Sequence, residues 1–115
     1  MVERSAHEPL DRALAALADP TRRSILAALR DGPATVGQVA APFPISLNAV
    51  SKHIRVLEQA GLVRRRVRGR EHHLHLEAAP LRAVATFASQ YASFWEDRLD
   101  ALARLVESPA SSESR

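Results

Sequence analysis

The sequence contains no cysteine, which excludes disulfide bridges, zinc-thiolate sites and thiol nucleophiles. Its longest uninterrupted apolar run, from Ala13 to Ala18, is far too short to span a bilayer. The residues before that run mix charges of both signs and lack the apolar core of a secretory signal. With 115 residues, the chain is long enough for one hydrophobic core. We therefore expect a one-domain cytoplasmic protein that does not associate with membranes.

The formal net charge is only +3, but the basic residues are concentrated in the middle of the chain. Between Pro20 and Leu76, ten Lys and Arg residues stand against three acidic ones. The segments on either side, 1–19 and 77–107, each have a net charge of −2. This asymmetry is typical of a small domain that binds a polyanion with one face.

Two helices are predicted in the first third of the chain. Leu10, Leu14 and Leu17 share one stripe of an alanine-rich helix, which must end before Pro20. Asp19 is a favourable N-cap for a second helix with Pro20 at its first position. The sequence Asp-Gly-Pro at 31–33 ends that helix.

A short third helix and a longer fourth helix follow, separated by a tight break. Thr35 and Gln38 have the spacing of a capping box at the start of the third helix. Ser46 caps the fourth helix, which continues to Gly61. Its predicted core-facing residues are Leu47, Val50, Ile54 and Leu57. Two helices joined in this way predict a helix-turn-helix.

After Gly61 the apolar period changes from 3.6 to 2, which predicts two strands, 62–68 and 71–76, around a Gly69-Arg70 turn. That turn pairs Arg68 with Glu71. Core-facing positions of the hairpin are then Val63, Arg65, Val67, His72, Leu74 and Leu76. The opposite face carries Arg64, Arg66, Arg68, His73 and His75, with Glu71 as its one carboxylate.

Pro80 begins a long final helix that contains four of the five aromatic residues of the chain. Its apolar stripe is broader than one small domain needs to complete its own core, so part of it is expected to meet a second subunit. The predicted domain spans residues 10–106. Residues 1–9 are predicted to be a flexible N-terminus, and residues 107–115 a disordered tail.

The fourth helix directs a polar face away from its apolar stripe. Arginine or lysine can bond the edge of guanine in the DNA major groove, and asparagine the edge of adenine. The hairpin adds alternate arginines that suit phosphate contacts. The predicted DNA-binding residues are Ser46, Asn48, Ser51, Lys52, Arg55, Arg64, Arg66, Arg68 and Arg70.

These residues carry a family resemblance. The stretches ALADPTRRSILAAL, ATVGQVA and SLNAVSKHIRVLEQAGLVRRRVRGREHHLHL together resemble the winged helix-turn-helix repressors of the ArsR/SmtB type. The similarity extends over about Leu10 to Val106. It implies a mainly α fold with a β-hairpin wing, in the order α-α-α-α-β-β-α.

The resemblance also implies a function, that of a bacterial homodimeric repressor bound to a double-stranded DNA operator. Residues 46–60 would form the recognition helix and residues 64–75 the wing. The first and last helices would form the dimer interface. Its predicted residues are Leu10, Leu14, Leu17, Phe87, Tyr91, Phe94, Trp95, Leu99 and Leu102.

Metal-sensing members of that family use a cysteine pair on the third helix, or Asp, His and Glu ligands along the last helix. This chain has no cysteine, and no histidine between Leu81 and Val106. It therefore resembles the metal-independent branch, and we expect no metal and no cofactor. His72, His73 and His75 lie among arginines that would repel a divalent ion, so they are interpreted as wing residues near phosphates. His53 is interpreted as a hydrogen-bonded packing residue rather than a base contact.

Other classes of protein have less support. Ser24, Ser46 and Ser51 lack the context of a nucleophile, and there is no glycine-rich phosphate loop, so no enzymatic activity is expected. The basic segment alone would also suit a sequence-tolerant architectural nucleic-acid-binding protein. A winged-helix protein-interaction module is a further alternative. The aromatic stripe could line a small-molecule effector pocket, but nothing in the sequence supports an effector.

Overall fold

The computed structural model describes the backbone of residues 2–113 and the side chains of residues 8–107. The chain divides into two compact units, Met1–Val84 and Ala85–Arg115. The elements are α1 (Val2–Leu17), α2 (Pro20–Ala28), β1 (Ala34–Thr35), α3 (Val36–Ala40), α4 (Leu47–Gln59), β2 (Val63–Arg68), β3 (Glu71–Leu76) and α5 (Ala79–Glu113). The fold is mainly helical with a β-hairpin wing, as the sequence predicts.

The junction of α1 and α2 is defined by Asp19. Its carboxylate accepts a hydrogen bond from the backbone N–H of Arg22 at 3.1 Å, and Pro20 takes the first helical position. Both N-terminal predictions for α2 are confirmed. Because this hydrogen bond favours the ionised carboxylate, it lowers the pKa of Asp19 below its usual value.

The structure contains a two-residue strand, β1, that the sequence does not predict. Ala34 pairs with Leu74, and Thr35 with His73, so the predicted hairpin is the larger part of a three-stranded antiparallel sheet in the order β1-β3-β2. A segment this short has no alternating pattern that could reveal it. Thr35 is also the N-cap of α3, and its capping box with Gln38 is formed as predicted.

A glycine turn at the end of α4 leads the chain into strand β2. Gly61 has φ +76°, and its N–H donates to the carbonyl of Glu58 at 3.0 Å. The N–H of Leu62 donates to the carbonyl of Leu57 at 2.9 Å. This pair of bonds is a Schellman motif, which needs a residue in the left-handed region and therefore favours glycine.

The register of the β2–β3 hairpin is the one predicted, with Arg68 opposite Glu71 and Val67 opposite His72. Gly69 takes φ +60° as the first of the two turn residues. The prediction of its inner face holds only near the body of the domain. Val63 and Leu74 are buried, whereas Val67 and His72 are exposed because the strands extend past the helices toward the turn.

The core lies between the helices and the base of the sheet. Helices α1 to α4, strands β2 and β3 and the turns after α2 and α4 all contribute buried side chains. These are Ala13, Ala16, Ile25, Leu26, Leu29, Val39, Val50, Ile54, Leu57, Leu62, Val63 and Leu74. Leu17 and Leu81 pack against this core from its edge. The sequence predicts that Leu47 faces the core, but it is 59% exposed because it lies at the start of α4, beyond Val50, the first buried residue of that helix.

Both terminal helices are longer than predicted. Helix α1 begins at Val2 rather than at Leu10, and it contains Pro9. Helix α5 begins one residue before Pro80 and continues to Glu113, into the segment predicted as a polar tail. The side chains of 1–7 and 108–115 lie outside the described residues. The limits of 10 and 106 for the domain stay predictions.

Candidate nucleic-acid interface

Helix α4 presents one side to solvent and the opposite side to the core. Val50, Ile54 and Leu57 are buried. Asn48, Ser51, Lys52 and Arg55 point away from them, and of these Ser51 is half-buried and the other three are exposed. We call these four residues the outward face of α4. Leu47 shares the apolar stripe by helical spacing but is exposed at its end. The predicted polar residues of α4 therefore lie together on one helix surface.

Ser46 is the N-cap of α4 and is exposed at the start of that helix. Its hydroxyl oxygen accepts a hydrogen bond from the backbone N–H of Ala49 at 3.1 Å, which closes the first turn of α4. Since a hydroxyl can also donate, the hydroxyl proton of Ser46 remains available to an acceptor outside the helix while its oxygen caps the helix.

The arginines of the wing differ in what they contact. Arg64 lies 3.2 Å from the carboxylate of Glu77, and Arg65 forms a two-pronged ion pair with Glu58 of α4 at 2.8 and 3.1 Å. The Glu58 hydrogen bonds raise the pKa of Arg65 further above its already high value. Arg64 remains exposed, so its contact with Glu77 can be exchanged with solvent ions. Strand alternation predicts Glu71 on the outer face, but the pairing of Arg64 with Glu77 has no signal in the sequence.

Two more arginines of the basic segment support the helices. Arg22 donates from Nε to the carbonyl of Ala16 at 2.6 Å and from Nη2 to that of Ala15 at 3.1 Å. Arg23 donates to the carbonyl of Leu17 at 2.7 Å. Together they satisfy carbonyls at the C-terminal end of α1, where a cation also complements the helix dipole. Both arginines belong to the basic segment, and this structural role is visible only from their tertiary contacts.

His53 of α4 contacts the junction between α1 and α2. Its Nδ1 lies 3.3 Å from Nη1 of Arg22, within hydrogen-bonding distance of the guanidinium. The carboxylate of Asp19 lies 3.9 Å from the same nitrogen. His53 is half-buried and hydrogen-bonded, which agrees with its interpretation as a packing residue.

The remaining basic residues of the segment are available to a partner. Within the described side chains, 8–107, the members of the segment that have no hydrogen-bonding or ionic partner in the protein are Arg30, Lys52, Arg55, Arg66, Arg68 and Arg70. All six are exposed. Five of them lie on α4 or on the wing. The basic character of the middle of the chain is thus concentrated on the two elements predicted to bind DNA.

The wing histidines do not form a metal cluster in the described part of the chain, where no three His, Asp or Glu side chains converge. His73 approaches only Glu71, at 3.2 Å, and His72 accepts a hydrogen bond from Arg65 at 3.0 Å. Metal independence stays a prediction. Within the described residues, no helix combines the length and the hydropathy needed to cross a membrane.

A helix-turn-helix with a basic outward face, followed by a β-hairpin with unpaired arginines, defines the class of winged helix-turn-helix DNA-binding proteins. Comparisons with known proteins agree. A family model described as a helix-turn-helix domain matches residues 17–66, which comprise the end of α1, α2, β1, α3, α4 and most of β2.

Two bacterial regulators are similar to this chain. The HTH-type transcriptional regulator Rv2034 of Mycobacterium tuberculosis is 39% identical over 104 residues, which cover 90% of this chain and 94% of that protein. The transcriptional repressor SdpR of Bacillus subtilis is 44% identical over 48 residues, which cover 42% of this chain and 53% of that protein. A solved structure, the ArsR family transcriptional regulator RHA00566, is 40% identical with a TM-score of 0.71, and the match covers 77% of this chain and 92% of that one.

The chain therefore belongs to the ArsR family of winged helix-turn-helix transcriptional regulators. This confirms the resemblance found in the sequence and favours a transcriptional regulator over the architectural and protein-interaction alternatives. The family is one of DNA-binding regulators rather than of enzymes.

Proposed function

We propose that this protein is a homodimeric repressor that binds an operator with two-fold symmetry. Each subunit inserts α4 into the major groove, and the two grooves lie about 34 Å apart along one face of the DNA. The wing of each subunit contacts the flanking backbone. A repressor of bacterial genes works in the cytoplasm, where its operator is, and this one needs no metal to bind.

The observation that carries the proposal is the distribution of unpaired cations. Lys52 and Arg55 on α4, and three arginines on the wing, have no acidic partner among the described side chains. Two neighbouring arginines, Arg64 and Arg65, do contact carboxylates. Five exposed and unpaired cations on two adjoining elements instead suit the phosphates and base edges of a DNA duplex.

Within α4, Asn48 and Arg55 are the proposed base readers. Both are exposed on the outward face, and both lack a partner among the described side chains. An arginine can donate two hydrogen bonds to guanine O6 and N7, and an asparagine amide can bond adenine N6 and N7. Ser46, Ser51 and Lys52 flank them and are assigned to phosphate contacts.

Within the wing, Arg66, Arg68 and Arg70 are proposed to contact the sugar-phosphate backbone. Arg64 joins them once it releases Glu77, an exchange that a nearby phosphate favours. Arg65 has no such role, because Glu58 holds its guanidinium with two hydrogen bonds at the base of the wing.

The second subunit is proposed to cover α5. Described side chains of this helix from Ala85 to Glu107 are all exposed, including Phe87, Tyr91, Phe94, Trp95, Leu99 and Leu102. An apolar surface of this extent on a monomer indicates a protein interface. On α1, Leu14 is exposed and Leu10 half-buried, so both are also proposed to contact a second subunit, whereas Leu17 is partly used by the core.

The proposal is tested by selecting bound fragments from a random DNA pool at a fixed salt concentration. We expect a palindromic consensus, bound at least about 10³-fold more tightly than random DNA. Arg55→Ala should weaken binding by about 1–3 kcal/mol and relax preference at one base pair of each half-site. Arg30→Ala is the matched control, since it removes an exposed and unpaired arginine that lies outside α4 and the wing. Equal affinity for all sequences would instead support the architectural alternative.

A further inference from the structure

The first residue of α4 is a leucine that the core does not use. Leu47 is 59% exposed, and among the large apolar side chains of residues 8–84 only Val67, at 58%, comes close to this value. We propose that Leu47 contacts the 5-methyl group of a thymine in the major groove and so selects a T·A pair at one position of each half-site. This inference rests on the proposed function, because it requires α4 to enter the groove.

A single exposed leucine means little by itself, since much of any protein surface is apolar. The position of Leu47 gives it significance. It is the first residue of α4, beside Asn48 and one turn before Ser51, so it is exposed at the end of the helix where the outward face begins. In helix-turn-helix proteins the N-terminal residues of the recognition helix are the ones that reach base edges.

The chemistry of the groove leaves one target for such a side chain. Leucine has no hydrogen-bonding group, and the C5-methyl of thymine is the apolar group that an unmodified base pair presents in the major groove. Cytosine offers a polar amino group and no methyl. Asn48 and Arg55 read donors and acceptors, so Leu47 adds a kind of recognition that neither of them can provide.

The rest of α4 supports this assignment by elimination. Val50, Ile54 and Leu57 complete the core without Leu47, so the fold does not need an apolar residue at position 47. A polar residue there would leave the core unchanged. The apolar side chain is instead exposed to solvent at the start of the helix that carries the unpaired Lys52 and Arg55 further along.

The test uses the full chain and the consensus obtained from the random DNA pool. Each thymine of one half-site is replaced in turn by deoxyuridine, which removes only the methyl group and keeps every hydrogen bond of the base pair. We expect one position at which this change weakens binding of the wild type about fourfold, the value that corresponds to burial of about one methyl group. The other thymines should change affinity by less.

The variants are Leu47→Ala and Leu47→Met. Leu47→Ala should bind the thymine and deoxyuridine operators with nearly equal affinity, because it has no side chain that reaches the methyl. Leu47→Met should recover most of the fourfold difference. Since Leu47 is exposed, thermal unfolding should show that both variants are as stable as the wild type.

Each outcome is decisive. A thymine whose methyl matters to the wild type and to Leu47→Met, but not to Leu47→Ala, supports the assignment. If no thymine responds, or if Leu47→Ala responds as strongly as the wild type, then Leu47 does not read a methyl, and the proposed function is unaffected. If the pool yields no consensus, the proposed function fails and this inference fails with it.

Discussion

Arg65 at the base of the wing and Glu58 near the end of α4 are joined by two hydrogen bonds, Nε to Oε2 at 3.1 Å and Nη2 to Oε1 at 2.8 Å. Each side chain is only 28% exposed. The pair connects the two elements proposed to bind DNA, so it fixes where the wing begins relative to the recognition helix. In this way one cation of the basic segment is used for structure rather than for DNA.

The structural role of Arg65 can be measured with a double-mutant cycle on Arg65 and Glu58, and compared with the DNA-binding role proposed for Arg68. Arg65→Gln and Glu58→Gln should each destabilise the fold, with a coupling energy of about 1 kcal/mol in urea unfolding, the range for a two-pronged pair near the surface. Binding of operator DNA by Arg65→Gln should keep the salt dependence of the wild type. Arg68→Gln should do the reverse, leaving stability unchanged and making the slope of log K against log salt shallower by about 1. A shallower slope for Arg65→Gln would contradict the structural role of Arg65.

Asp19 makes stability depend on pH. Its pKa is lowered in the folded protein, first by the backbone N–H of Arg22 and also by the nearby charges of His53 and Arg22. The unfolded chain then binds more protons near the usual pKa, so stability is fully present above about pH 4 and is lost as the pH falls through the folded pKa. Asp19→Asn keeps the cap without the charge, so its deficit in unfolding free energy should shrink below about pH 4. A deficit that stays constant from neutral to acidic pH would show that the charge has no part in it.

Two glycines should respond to alanine in opposite directions. Gly61 has φ +76° in the Schellman motif after α4, and a Cβ there would meet Pro80 only at an ordinary 3.5 Å, so the penalty comes from the backbone. Gly61→Ala should cost about 1–2 kcal/mol in denaturant unfolding. Gly37 lies in helix α3, where an added Cβ would come no closer than 4.0 Å to the Thr35 hydroxyl oxygen. Gly37→Ala should therefore stabilise the fold by about 0.4–1 kcal/mol, and equal effects at both sites would refute the conformational argument.

Local signals explain why so much of this fold is predictable from sequence. The N-caps Asp19, Thr35 and Ser46 depend on neighbours within three residues, and the Gly69 turn fixes the register of the whole hairpin. Features that depend on tertiary contacts are less accessible. The two-residue strand β1 exists only because β3 lies beside it.

The candidate DNA-binding site also has features that depend on tertiary contacts and are therefore not predictable from the sequence. Helical spacing places Asn48, Ser51, Lys52 and Arg55 on one surface, which the structure also shows. Spacing cannot tell a cation with a partner from one without: Arg64 and Arg68 are both predicted on the outer face of the hairpin, whereas in the structure Arg64 lies 3.2 Å from Glu77 and Arg68 has no partner among the described side chains. Spacing also assigns Leu47 to the apolar stripe of α4. In the structure the buried part of this stripe begins at Val50, so Leu47 at the start of the helix lies outside the core.

The exposed aromatic residues of α5 provide a test of the proposed dimer. Trp95 is 63% exposed on α5, in the same helix as the edge-to-face pair of Phe87 and Tyr91, whose ring centroids lie 5.6 Å apart. If a second copy covers this helix, burial of an aromatic anchor of this size should contribute about 2–4 kcal/mol to association. Trp95→Ser should then raise the dimer dissociation constant about 30-fold or more in sedimentation velocity. Glu96→Gln changes the adjacent exposed residue without removing apolar surface and should leave that constant unchanged. A wild type that sediments as a monomer at micromolar concentration would contradict the dimer, because two recognition helices can engage a two-fold operator only when two subunits hold them together.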